Sequence, residues 1–174
     1  MAALPSLQDN DYQLFGLPAR FALDRAALDD RWKQLQRQVH PDRFAAQDGA
    51  AQRVAMQWSV RINEAYNRLK DPLKRAAYWC ELHGAPIQAH SNTAMPPAFL
   101  MQQMEWREAL DEAGSAEALE SLLDEAQAAR KGSLATLERL IDADPDPAAA
   151  AQQVRALMFV ERFAEEIHTR LDRL

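Results

Sequence analysis

The chain has 174 residues, 48% of them apolar, with only five glycines and a net charge of −6. That length holds one large or two small domains with a core, and the shortage of glycine beside abundant alanine and leucine favours helix over sheet. No run of about 18 apolar residues is present to span a membrane, the opening "MAALPSLQDND" lacks the basic start and long apolar core of a secretory signal, and a single cysteine, Cys80, excludes an intramolecular disulfide and fits a reducing, cytoplasmic setting.

Asp9 or Asn10 is placed to cap a short first helix over "DYQLFGL", stopped by Leu17-Pro18. Asp24 caps a second helix that runs to about Val39. Leu28, Trp32, Leu35 and Val39 form one apolar stripe on it, and Lys33 and Arg37 lie on roughly the opposite side at ~100° per residue. Pro41 disfavours helical geometry at His40, so the helix stops there. Residues 43–49 are expected as a loop around Asp48-Gly49. A third helix, from about Ala50 to Lys70, carries its stripe on Val54, Trp58, Ile62, Ala65 and Leu69. Helices two and three can then pack antiparallel, with His40-Pro41-Asp42 at the tip of the hairpin. Asp71 caps a fourth helix with Pro72 at its first position, and Gly84 ends it.

Residues 85–97, "APIQAHSNTAMPP", are proline-bearing, polar and without period, and read as a linker. Beyond residue 86 the chain turns acidic, with 8 Lys and Arg against 16 Asp and Glu, which argues for a separate partner surface and against nucleic acid. Three more helices follow: one over about 97–112, one from Ser115 to about Asp142 with a local weakness at Gly132, and one, after "DADPDP", from about Ala148 to Leu171. No strand pattern and no repeat emerges. The expected fold is all-α: an N-terminal helical hairpin with flanking helices over 1–84, the linker over 85–97, and a three-helix antiparallel bundle over 98–174.

Taken alone, His40-Pro41-Asp42 is a turn. Its context is more specific: a basic helix leads up to it, and "INEAYNRLKDPLKRAAY" follows at the end of the third helix and the start of the fourth. Over roughly residues 9–80 this arrangement resembles the J-domain family. The resemblance implies stimulation of ATP hydrolysis by a DnaK-type chaperone, with His40, Pro41 and Asp42 as the essential loop. Asp42 suits an arginine on the chaperone through a charge-assisted bond, and Lys33, Arg37 and Arg43 supply a steering surface. A protein of this kind performs no chemistry of its own; it biases its partner's conformational equilibrium.

The second half lacks the Gly/Phe-rich segment and the repeated CxxC zinc modules of general-purpose J-proteins. "FLMQQMEWREALDE" and "VRALMFVERF" instead resemble the C-terminal domain of HscB-type co-chaperones of iron–sulfur cluster assembly. That resemblance implies two partners, an HscA-like chaperone and an IscU-like scaffold protein, and no cofactor or metal. It carries the scaffold-binding role onto Leu100, Met101, Met104, Glu105, Glu108 and Phe159, with Met104 in place of an expected leucine. Helical geometry agrees: Phe99, Trp106 and Leu110 share a core-facing stripe, whereas Leu100, Met101 and Met104 lie on another side beside Glu105 and Glu108.

Two other readings compete: a generic J-protein adaptor that recruits a different client through its acidic half, and a structural helical protein with a degenerate J-domain. Cys80 and His83 stand three apart without a third orienting residue, and adding His90 gives an incomplete and oddly spaced metal set, so packed or surface roles are expected for all three. His168, beside Glu165 and Glu166, reads as solvated. Trp32, Trp58, Trp79 and Trp106 fit helix packing better than base stacking.

Overall fold

The computed structural model describes residues 5–44 and 48–174. Every regular element among them is helical, and there is no strand. The chain divides into two compact units, Met1–Arg75 and Ala76–Leu174.

In the first unit, α1 (Asp11–Phe15) opens with Asn10, whose side chain accepts the Gln13 amide while the Gln13 side chain returns to the Asn10 amide, a reciprocal capping box. It ends earlier than expected, at Gly16 with φ 64°, a left-handed position that glycine adopts freely. The carboxylate of Asp11 is buried and fastens α1 to the third helix of the unit through Arg61 at 2.7 Å and Arg68 at 3.0 Å. Charges taken out of water need such partners.

Helix α2 (Arg25–Val39) starts at Asp24, which caps the Ala27 amide, and stops where His40 adopts the extended backbone that a following proline imposes. Pro41–Phe44 then form one 3₁₀ turn, inside what the sequence suggests is a loop. Residues 45–47 of that expected loop, and residues 1–4, lie outside the described residues. Helix α3 (Gly49–Lys70) is capped by Asp48.

Helices α2 and α3 pack along each other. Leu28, Leu35 and Val39 on one and Ile62, Ala65 and Leu69 on the other are fully or almost fully buried. The expected α3 stripe needs one correction: Val54 is half exposed and Ala55 is buried. At ~100° per residue, position 55 lies ~20° from Ile62 and position 54 lies ~80° away. A polar seam flanks the apolar one. Tyr66 Oη donates to Asp29 at 2.7 Å, Trp32 Nε1 donates to Asn63 Oδ1 at 3.0 Å, and Gln36 Nε2 donates to the same oxygen at 2.7 Å. The Tyr66 hydroxyl, and after it the Arg25 guanidinium at 2.9 Å, hold the Asp29 carboxyl below its ordinary range. Helix α4 (Pro72–Leu82) starts as expected, with Asp71 Oδ1 accepting the Leu73 and Lys74 amides. The buried Arg75 donates to the carbonyls of Leu69 and Phe21, so it closes the α3 C-terminus and pins the α1–α2 connection.

The second unit begins within α4, at Ala76, and is built mainly on α5 (Pro97–Glu112), α6 (Ala116–Glu138) and α7 (Pro147–Asp172). Small residues at Ala126, Ala150 and Ala151 are buried, and α6 and α7 pack closely along their length. Gly132 does not interrupt α6. That helix does end sooner than expected: Arg139–Ala143 widen into a π-helical turn, closed by the Asp144 amide on the Arg139 carbonyl at 2.9 Å. Pro145 follows and disfavours continuation of the helix at Asp144. Large rings join α5 to α7: Trp106 stacks on Phe163 at 5.1 Å, and Phe99 meets Phe159 edge-on at 5.8 Å. Trp106 Nε1 also donates to Glu125 on α6 at 3.2 Å.

The segment before α5 is tied down. Arg155, buried on α7, donates to the carbonyls of Ile87 at 3.0 Å, Ala94 at 3.0 Å and Pro86 at 3.4 Å, and Ile87 is itself buried. A guanidinium with five donors in a rigid fork suits three carbonyls of an irregular strap.

Candidate functional site

Two groups of surface residues stand out, one in each unit. The first surrounds the tip of the α2–α3 hairpin. The Asp42 side chain is 91% exposed and that of His40 54%. Lys33 and Arg37 are exposed along α2, and Arg43 beside the tip. The expected tip thus brings His40 and Asp42 together at the end of a basic face; the Pro41 side chain lies outside the described residues.

Local bonding explains the tip's shape. The His40 carbonyl accepts the Arg43 amide at 3.0 Å, and His40 Nδ1 accepts the Asp42 amide at 3.2 Å. Arg43 also has a local structural role that the sequence does not show: its guanidinium donates to the Arg37 carbonyl at 3.0 Å, one of the carbonyls that the end of α2 leaves without a helical partner. Val54 lines a small apolar recess close by, with Val39 and Trp58.

The second group lies on α5. Leu100 is 46% exposed, Met101 68% and Met104 74%, whereas Trp106 and Leu110 on the packed side are buried. Glu105 and Glu108 are exposed beside them. Phe159 is half-buried on α7, held by Phe99 edge-on and by Phe163 at 6.0 Å. It is therefore part of the aromatic packing as well as of the surface.

Arg107 belongs to this group and was not anticipated. Its guanidinium lies 5.3 Å from the Phe159 ring centroid and pairs with Glu166 at 2.6 Å. Its position, seven residues after Leu100 and three after Met104, puts it on the same side of α5. That spacing was readable; the partner on α7 was not.

The discounted residues divide between packed and surface positions. Cys80 is fully buried, and burial pushes its thiol up to about 12, so it holds its proton near neutrality. His83 stacks on Trp79 at 4.1 Å with Nδ1 2.8 Å from that residue's carbonyl. His90 and His168 are exposed. Among the described residues no group of three or more His, Cys, Asp or Glu is placed to hold a metal ion, and no helix is long and apolar enough to cross a membrane.

Comparison with known proteins agrees with both halves. Residues 95–168 match the family model for the HSCB C-terminal oligomerisation domain. The co-chaperone protein HscB homolog of Burkholderia multivorans is 53% identical over 172 residues, covering 97% of this chain and 98% of that one. Among solved structures, chaperone HscB from Vibrio cholerae aligns with a TM-score of 0.79 at 36% identity, over 95% of this chain and 99% of that one. Human co-chaperone HscB aligns with a TM-score of 0.88 at 28% identity, over 98% and 86%. With a J-type hairpin ending in His40-Pro41-Asp42, a helical second unit, and a similarity that runs the length of the chain, this protein belongs to the HscB family of co-chaperones.

Proposed function

We propose that this co-chaperone stimulates the ATPase of a DnaK-type, HscA-like chaperone through the hairpin tip and delivers to it an IscU-like iron–sulfur scaffold protein held on the second unit. His40, Pro41, Asp42, Lys33, Arg37 and Arg43 face the chaperone; Leu100, Met101, Met104, Glu105, Glu108 and Phe159 face the scaffold. The protein contributes no bond-making step and works in the cytoplasm. The observation that carries this reading is the outer face of α5. Three large apolar side chains stand in solvent there, rimmed by two glutamates, on a helix whose opposite side buries Trp106 and Leu110. Contiguous exposed apolar surface rimmed by charge is the form of a protein-binding site. Titrating the protein calorimetrically with an IscU-type scaffold, and assaying the ATPase of an HscA-type chaperone with each, tests it. Saturable binding and stimulation are expected; a generic adaptor would stimulate without binding the scaffold.

The basic face of α2 gives a further expected outcome. Exchanging both Lys33 and Arg37 for glutamate slows association with the chaperone while leaving the off-rate nearly unchanged. The wild-type on-rate falls with added salt, because exposed charges are screened beyond ~8–10 Å at physiological ionic strength. Stopped-flow association rates that are flat in salt and indifferent to the reversal would remove the steering role.

A further inference from the structure

The bond between His40 and the backbone of Asp42 has a consequence for how the tip works. An imidazole nitrogen that accepts an N–H carries no proton. The 3.2 Å contact from the Asp42 amide therefore requires His40 to be neutral, with its proton on Nε2. The Asp42 carboxylate stands 3.5 Å from the same Nδ1, whose single lone pair is already committed to the amide. The connection runs from a side-chain acceptor to the amide two residues on. Asparagine and aspartate make the same connection when their side chains mimic a turn. It spans the proline and lies next to the 3₁₀ contact from the Arg43 amide to the His40 carbonyl.

We propose that His40 is a positioning residue for Asp42: its neutral imidazole fastens the tip so that the Asp42 carboxylate is held ready for the chaperone, and the ring itself is not the group the chaperone reads. This rests on the assignment of the tip as the chaperone-stimulating element. Asp42 is 91% exposed and has no other bond fixing its direction among those described, so its presentation depends on its own backbone. A neutral side chain that ends in an acceptor one bond beyond Cγ reproduces what His40 does. One that ends a bond later does not.

The test compares three variants of the full chain. Asparagine places Oδ1 where the histidine has Nδ1, glutamine places its polar atoms nearer the position of Nε2, and alanine has neither. H40N is expected to stay within about twofold of wild type in chaperone stimulation. H40Q and H40A are expected to fall by about fivefold or more, the population lost with one side chain–backbone hydrogen bond. Amide exchange at Asp42 should be slowed in wild type and H40N and released in the other two. ¹⁵N spectra of the wild-type imidazole, taken above the ordinary histidine titration range, should show the proton on Nε2. The proposal is overturned if H40N is as weak as H40Q, if all three variants retain full stimulation, or if Nδ1 carries the proton. Because the exchange and ¹⁵N measurements need no chaperone, they decide the positioning role even where the chaperone assignment itself fails, which a fully active Asp42→Asn variant would reveal.

Discussion

Asp42→Asn is expected to abolish stimulation of the chaperone's ATPase and to leave the protein folded. The side chain is 91% exposed and its carboxylate makes no contact closer than 3.5 Å to His40, so removing the charge opens no cavity and strands no buried partner. Surface changes of that kind stay within about 0.5 kcal/mol of wild-type stability. What is lost is the ionised acceptor. A hydrogen bond to a charged group contributes roughly 1.5–3 kcal/mol, and a neutral amide cannot replace its strength. The amide of residue 42 can still bond to His40, so the tip keeps its shape while losing its charge. Circular dichroism and the melting curve should match wild type, and single-turnover ATP hydrolysis should fall to the chaperone's basal rate. Binding of the scaffold should be unchanged.

Leu100→Ala with Met104→Ala is expected to give the complementary loss. Both residues are exposed, Leu100 at 46% and Met104 at 74%, and neither belongs to the buried core, so their truncation removes little that holds the bundle together. Truncating an interface anchor costs binding about 1–4 kcal/mol, or roughly a fivefold to several-hundredfold weaker complex. Stability should change by less than about 1 kcal/mol, a shift in Tm of a few degrees. Phe159 is left intact in this pair for a structural reason: its ring packs against Phe99 and Phe163, so its removal would weaken binding and folding together. Calorimetric titration should show scaffold affinity lost, with basal chaperone stimulation retained. A large fall in Tm with affinity preserved would mark the two residues as core and move the scaffold site elsewhere.

The features legible in the sequence are the local ones. Asp24, Ser115 and the Asp71-Pro72 pair mark helix starts because a cap is decided within three or four residues. The two sides of α5 were separable because helical spacing alone divides Trp106 and Leu110 from Leu100 and Met104. What the sequence hid depends on distant partners. Asp11 looks like an ordinary first-turn acid until Arg61 and Arg68, some fifty residues on, close over it. Arg75 and Arg155 look like surface charges within amphipathic helices, yet both are buried and each bonds to carbonyls more than fifty residues away, Arg75 to Phe21 and Arg155 to Ile87 and Ala94. The π-helical end of α6 turns on one extra residue per turn, finer than a periodicity can resolve. The four-residue spacing from Trp58 puts Val54 in the core stripe, and that place belongs instead to Ala55, seven residues before Ile62.

The central claim is that one chain carries both sites and couples them by holding the scaffold while presenting Asp42. The most direct measurement is chaperone ATPase in the presence of limiting scaffold, comparing wild type with an equimolar mixture of the Asp42→Asn variant and the Leu100→Ala/Met104→Ala variant. Each site is intact somewhere in the mixture, but never both on one molecule. The expected result is that wild type and scaffold stimulate well beyond the sum of their separate effects, while the mixture reaches only the basal stimulation supplied by the second variant. A mixture that restores the full wild-type response would contradict the account, because the two sites would then act without being joined.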